Sequence, residues 1–500
     1  MGARRDKIET IFWGTPPKDP KERKLLVKLD LAILSYICLN YWINYVDRAN
    51  FANAYVTGMQ QAVGFAGNQY TLANSCFTAG YIVGQWPSAV ILASGRFPPR
   101  FYFPLCCLAW GLCTLGMAFV TTPHQVMAVR FVQAIFEAST FSGSHYILGT
   151  WYRDNELGKR TAVFTSAAQF GTFFSGIMQG AIKSSLDGRH GKAGWQWLFI
   201  INFAMTVVIA LHGFFFFPDT PHTSKAFWLS EEEREMCRTR IPYQEHYVIT
   251  WARFRQSITK VVTTWRFSLF VLLFTFSATA FEKTGVYSEF LFWVKSVKNA
   301  DGTARYTASQ VNYYPTIQTA VAIVGTYLMT VYCDHTGHRF FANVIMYAAV
   351  LISSAMLLAW NIGIPGHFFA YSISGIGYAG QASNFSWANS STRDDEMLRS
   401  LTLFSMNLGS NLWALWYGIA IWPVVDQPKF RNGQIATIVT GAASVGVAGA
   451  IAYCARRWPA PMPQDNYEAE VVEKGIQPKA SAEDDKHPEV TDVVAAEDRR

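Results

Sequence analysis

Charge is scarce in this chain: Asp, Glu, Lys and Arg make up 15% of its 500 residues, against about a quarter in an ordinary soluble protein. That shortage excludes a chain kept in solution by a charged surface. Cysteine is sparse too. The eight Cys residues contain no Cys-x-x-Cys pair, and seven of them (Cys38, Cys76, Cys106, Cys107, Cys113, Cys333, Cys454) fall in apolar stretches, which argues against both disulfides and a zinc site. No Gly-rich loop runs into Lys-Ser or Lys-Thr, no His/Cys spacing suits a metal, and no nucleophile elbow occurs. No cofactor or metal is therefore expected, and an intramembrane enzyme is disfavoured because no reactive constellation accompanies the charges that do occur. A cleavable signal is also missing from the expectation: Met1 to Lys28 is polar, and the first apolar run is long enough to remain as its own anchor.

What the chain has instead is apolar length. It is 51% hydrophobic and 15% aromatic. Twelve runs approach the roughly 20 residues a helix needs to cross a bilayer: 29–55, 71–94, 101–121, 125–149, 160–182, 195–217, 267–294, 311–333, 341–361, 367–390, 400–424 and 434–456. The expectation is an all-α membrane protein with twelve transmembrane helices in two pseudosymmetric six-helix bundles. The domain plan is a cytoplasmic N-terminal tail (1–28), a first bundle (29–217), a cytoplasmic central loop (218–266), a second bundle (267–457) and a disordered acidic tail (458–500). The loop carries Ser230-Glu231-Glu232-Glu233, a capping box that predicts a short helix over about 230–240. The basic N-tail, Arg96, Arg100, Arg153, Arg160, Arg339, Arg393, Arg456 and Arg457 fall on one side if the N-terminus is cytoplasmic, so the positive-inside rule puts both termini there. A net charge of +7 spread through interleaved tails suits a lipid surface and calls for no nucleic acid.

Against this background, ionisable residues inside the runs are functional suspects, because a charge at lipid depth faces a partner or a watery cavity. Asp47 and Arg48 lie near the end of the first run. Arg130, Gln133 and Glu137 are spaced by three and four, on one face of the fourth helix over about 10 Å. A carboxylate beside an arginine binds its proton according to whether that arginine is occupied by something else. This is the coupling a proton symporter of anions requires. The bland alternative reads Asp47–Arg48 and Arg130–Glu137 as structural ion pairs. His145 follows Glu137 by eight residues and is a relay or a satisfied core histidine. Glu282-Lys283 is a self-neutralising pair at a break beside Gly285 or a lure for an anion. Gln381, Asn384, Trp387 and Asn411 bring amide and aromatic groups to the tenth and eleventh runs, where they bind a solute or tie helices together. Gly95-Arg96 after the second run and Asp334 to Arg339 after the eighth are basic connections at equivalent places, as in a duplicated transporter.

These residues resemble the major facilitator superfamily, and within it the anion:cation symporters of the fungal pantothenate and allantoate permease branch. The likeness covers about 25–455. It rests on Tyr45-Val46-Asp47-Arg48-Ala49-Asn50-Phe51-Ala52-Asn53, Gly80-Tyr81-Ile82-Val83-Gly84-Gln85-Trp86-Pro87, Trp195-Gln196-Trp197-Leu198-Phe199, Phe217-Pro218-Asp219-Thr220-Pro221 and Ser386-Trp387-Ala388-Asn389. The resemblance implies alternating access and cotransport of a small organic anion with protons, pantothenate or a related carboxylate first among substrates, by a monomeric multi-pass protein of the plasma membrane. It matches Asp47 and Glu137 to proton-coupling carboxylates and Arg48 and Arg130 to the accompanying arginines; the substrate pocket is unmatched, and Gln381, Asn384, Trp387 and Asn411 are expected to face substrate on the chemistry of the residues alone. Arg96, Asp334 and Arg339 are placed at the gating loops. There are departures: Phe97-Pro98-Pro99 stands where the family's first inner loop has an Asp, His145 and Glu282-Lys283 are unexpected, and 389–396 lacks an expected Cys. Export of a fungal metabolite and a non-transporting nutrient receptor are the alternatives.

Overall fold

The computed structural model describes residues 19–94, 97–240, 263–281, 286–392 and 396–458. They form helices joined by short turns. The first half contributes α1 (Pro20–Val63), α2 (Gln69–Ser94), α3 (Pro99–Met117), α4 (Pro123–Trp151), α5 (Asp154–Ser185) and α6 (Gly194–Phe216), followed by the short α7 (Glu231–Arg240). The second contributes α8 (Trp265–Phe281), α9 (Val286–Ser296), α10 (Ala308–Tyr313), α11 (Thr316–Thr336), α12 (Arg339–Ala359), α13 (Gly363–Ser374), α14 (Ala379–Ser391), α15 (Glu396–Ile421) and α16 (Arg431–Arg457). Six of these stretches are long and apolar enough to cross a membrane on those grounds alone: Pro20–Val63, Pro99–Met117, Gly194–Phe216, Ala308–Cys333, Arg339–Ala359 and Arg431–Arg457. The helices that miss that standard include α4, which carries Arg130 and Glu137, and α8, α13 and α14, whose apolar length is divided between short pieces.

Chain direction alternates, so one side of the bundle bears the described ends near 19 and 458 and the other bears the turns after α1, α3, α5, α9, α12 and α15. These are called the terminal side and the opposite side below. The first helix is longer than expected. Residues 20–28, assigned to the tail, are helical because Asp19 accepts from the Lys21 amide and Pro20 sits in the first turn, where its missing N–H costs nothing. The predicted loop helix forms at Glu231–Arg240, and its capping box is made: the Glu233 amide donates to Ser230 Oγ at 3.2 Å and the Ser230 amide to Glu233 Oε2 at 2.9 Å. Arg96 and Glu282-Lys283, and the tail beyond 458, lie outside the described residues.

On the terminal side α7 is strapped to the first half. Arg240 grips Glu156 through two bonds of 2.6 and 2.8 Å and reaches Glu22 at 2.8 Å, while Lys28 pairs with Glu233 at 2.7 Å. Arg160 meets both oxygens of Asp30 at 2.6 and 2.7 Å. Bidentate pairs with buried guanidinium groups hold geometry far better than surface pairs do. On the opposite side the two halves meet: the Val424 amide donates to Thr71 Oγ1 at 3.0 Å, Ser75 Oγ to the Leu415 carbonyl at 3.3 Å and Ser309 Oγ to the Gly180 carbonyl at 3.1 Å. Phe292 packs on Tyr55 and Tyr70 across the same seam. Glycine makes the closest approaches possible. A Cβ at Gly80 or Gly84 would collide with α4 backbone at Phe131 or Ile135, and one at Gly180 with the Tyr313 ring.

Candidate functional site

Turning seven residues along α1 brings Tyr41, Tyr45 and Arg48 to one face, and that face borders a central cavity of about 380 Å³, open space at its mouth included. The other walls are Tyr81 (α2), Phe141 (α4), Phe274 (α8), Gln381 and Phe385 (α14), and Asn407, Ser410 and Asn411 (α15). The cavity therefore has a cationic, aromatic wall from the first half and an amide and hydroxyl wall from the second. Arg48 lies among the rings of Tyr45, Phe77 and Tyr81, 5.1, 5.2 and 4.9 Å from their centroids, which fixes a planar cation without neutralising it.

The ion pair joins residues that neither sequence pairing anticipated. Arg48 Nε donates to Glu137 Oε2 at 3.3 Å, from α1 to α4, with the Glu137 side chain fully buried and that of Arg48 28% exposed. Asp47 points elsewhere. Its Oδ1 accepts from Thr114 Oγ1 at 2.9 Å and from the Asn202 amide. Gln133 bridges the two carboxylates, donating to Glu137 Oε1 at 2.8 Å and reaching Thr114 Oγ1 at 3.5 Å. The result is one chain, Asp47–Thr114–Gln133–Glu137–Arg48, that ends at the cavity.

Three of the expected substrate contacts, Arg130, Asn384 and Trp387, stand outside the cavity wall. Arg130 donates to Asn74 Oδ1 at 3.1 Å and lies on Phe51 and Phe77, beside a second, opposite-side cavity of about 280 Å³ lined by Asn74, Glu289 and Trp422 among others. Asn384 is fully buried, donating to Ser277 Oγ at 3.1 Å and to Tyr347 OH at 3.4 Å, so it ties helices together. Trp387 packs edge-on against Phe270. His145 Nδ1 donates to the Phe141 carbonyl one turn back in α4, at 2.9 Å, within a cluster that includes Phe164. Asp334 lies in α11, its side chain outside the described residues, while Arg339 binds the Ser386 carbonyl at 3.0 Å and Ser390 Oγ, joining α12 to α14. Tyr41 and Tyr45 were missed although their four- and three-residue steps to Arg48 signal a shared face. Thr114 and Asn202 carry no sequence signal at all, because only folding brings α3 and α6 to Asp47.

The fold and site define a class, and the comparisons name it. The family model described as the Major Facilitator Superfamily matches residues 37–415, and the chain belongs to that superfamily. It is a transporter and not an enzyme. It is 38% identical to the pantothenate transporter liz1 of Schizosaccharomyces pombe over 84% of this chain and 80% of that one. It is also 38% identical to the pantothenate transporter FEN2 of Saccharomyces cerevisiae, over 85% and 82%. The Vitamin H transporter of Saccharomyces cerevisiae is 28% identical over 88% of this chain and 73% of its own. Among solved structures, the partially occluded inward-open xylose transporter XylE from E. coli superposes with a TM-score of 0.61 at 13% identity, over 86% of this chain and 99% of that one. That likeness is one of fold.

Proposed function

We propose that the chain is a proton-coupled importer of pantothenate, or of a closely related hydroxylated carboxylate, working by alternating access in the plasma membrane. Two relatives at 38% identity are named as pantothenate transporters. The observation that carries the mechanism is the pairing of Arg48, at the cavity wall, with Glu137 buried behind it. A substrate carboxylate takes Arg48 from Glu137, because a planar guanidinium serves one carboxylate well and two poorly. Glu137, released in a dry setting, then takes a proton, and the loaded site is neutral enough to cross. Asp47 shares that proton economy through Thr114 and Gln133. Gln381, Asn407 and Asn411 on the facing wall answer the substrate's amide and hydroxyls.

In this reading the bundles 29–217 and 267–457 rock about the cavity as a monomer. The terminal side, rich in Lys and Arg, is cytoplasmic, and the seam at Thr71–Val424 is the closed outer gate. The test is growth of a pantothenate-uptake-deficient strain on limiting vitamin, with labelled uptake at acid and neutral pH and surface expression confirmed. Rescue with acid-stimulated uptake is expected. Failure to rescue alongside acid-stimulated uptake of another carboxylate rejects the substrate and spares the mechanism.

A further inference from the structure

Behind the cavity face of α1 lies a second polar row that the substrate does not touch. Asp47, Asn50, Asn53 and Thr57 recur every three or four residues on the buried side of the helix, and α5 answers with Ser175 and Gln179, four apart. Ser175 Oγ donates to Asn50 Oδ1 at 2.6 Å and accepts from Asn53 Nδ2 at 2.8 Å, and Gln179 Nε2 donates to Thr57 Oγ1 at 2.6 Å. These bonds leave a remainder. Asp47 Oδ2, Asn50 Nδ2, Asn53 Oδ1 and Gln179 Oε1 are buried without a hydrogen-bond partner in the protein. Each such atom is costly to leave unmet, and ordered water is what ordinarily meets it.

The backbone adds an independent sign at the outer end of the row. Thr57 (φ −99°, ψ 20°) and Gly58 (φ 125°) break the helix, and the Thr57 hydroxyl turns back to the Asn53 carbonyl at 2.6 Å. The break falls just past the first apolar run (29–55), at the opposite-side end of the row, where Thr57 stays buried in protein. Asn50, Asn53, Ser175 and Gln179 are fully buried, so the row lies inside the protein.

We propose that this α1–α5 row holds a file of water that carries the coupled proton between the opposite side and Asp47, by a route separate from the substrate cavity. The proposal rests on the proton-coupled reading above. The chemistry of the row suits proton conduction, since amides and hydroxyls hold water as donors and acceptors but do not titrate, and so align the file without trapping the proton. Asp47, three residues from Asn50, is the titratable terminus. A proton entering as hydronium near Gln179 passes along the file by exchange of O–H bonds, and the Asp47 carboxylate ends as a neutral carboxyl. One proton is gained and no other bond changes. Thr114 and Gln133 then link that carboxyl to Glu137 and the cavity.

The experiment uses the full chain in proteoliposomes, measuring pH-driven accumulation of labelled pantothenate and, separately, pantothenate counterflow without a pH gradient. Gln179→Leu and Ser175→Ala are expected to cut accumulation at least about tenfold, the effect of raising one barrier by about 1.4 kcal/mol, with counterflow kept. Gln179→Asn, which retains the amide, should restore most of it. Wild-type accumulation in both apolar variants would overturn the proposal, as would counterflow falling in step with accumulation in Gln179→Leu, Ser175→Ala and Gln179→Asn alike. Asp47→Asn separates the two readings: if it abolishes accumulation while Gln179→Leu does not, only the water file is wrong, and if it accumulates normally, the proton coupling itself is wrong.

Discussion

The two halves solve the same packing problem with different chemistry. In the first, α1, α3, α4 and α6 converge on charged groups, with Asp47 held by Thr114 and Asn202 and Glu137 held by Arg48 and Gln133. At the corresponding place in the second, α8, α12 and α14 converge on Ser277, Tyr347 and Asn384, all neutral, with Ser444 of α16 in reach of Tyr347. Both knots satisfy buried polar atoms. Only the first knot carries carboxylates, which under the proposed mechanism makes the first half the one on which a proton gradient acts, while the second adds neutral contacts to a solute that Arg48 anchors.

The sharpest way to break that contrast is to remove a titratable group from the first half. Asp47→Asn and Glu137→Gln keep side-chain size, so each should abolish acid-driven accumulation while leaving counterflow measurable. Either variant concentrating substrate as well as wild type would erase the difference between the halves at that residue. Next in size is the anion anchor: Arg48→Lys loses the planar fork and its fit among three rings, and apparent affinity should fall about tenfold in uptake kinetics. Arg130→Lys should change it much less, since Arg130 stands outside the cavity lining.

In the second half, Asn411→Ala should weaken apparent affinity about fivefold, the worth of one hydrogen bond of about 1 kcal/mol, with no change in the pH profile. A shifted profile would mean that the neutral wall also governs the proton. Asn384→Ala should spare transport and instead lower the midpoint of thermal unfolding by a few degrees, because it removes the amide donor that Ser277 Oγ and Tyr347 OH share. The smallest effect belongs to the strap. Burial pushes the Glu233 carboxyl up, but Lys28 and the Ser230 amide outweigh it and hold the group below its ordinary value. A depressed carboxyl stabilises above its unfolded value and loses that contribution as pH falls through the folded one. Glu233→Gln should therefore lower the unfolding midpoint by about a degree at neutral pH, a difference that disappears as pH falls through the group's lowered folded value.

Much of this was legible from residue order. Apolar length and alternating loop charge are properties of the chain itself, because every backbone group in hydrocarbon must be satisfied within its own helix. Asp47, Arg48 and Glu137 stood out for the same reason: charge at lipid depth needs a purpose. The Ser230 capping box is local, and α7 formed where it was expected. The sequence by itself thus determined the fold class, the family and the short roll of charged suspects.

Partnership was decided only in three dimensions. Asp47 and Arg48, adjacent in sequence, and Arg130 and Glu137, two turns apart on one face, invite pairing, yet adjacent residues on a helix point about 100° apart, so Arg48 crosses to Glu137 while Asp47 turns to α3 and α6. Asn384 and Asn411 are both intramembrane amides of nearby helices, and one is a buried tie while the other lines the cavity. Which face a helix shows its neighbours depends on packing, and packing depends on residues hundreds of positions away. The sequence names the polar groups, and the tertiary structure alone chooses whether each meets a helix, a proton or a substrate.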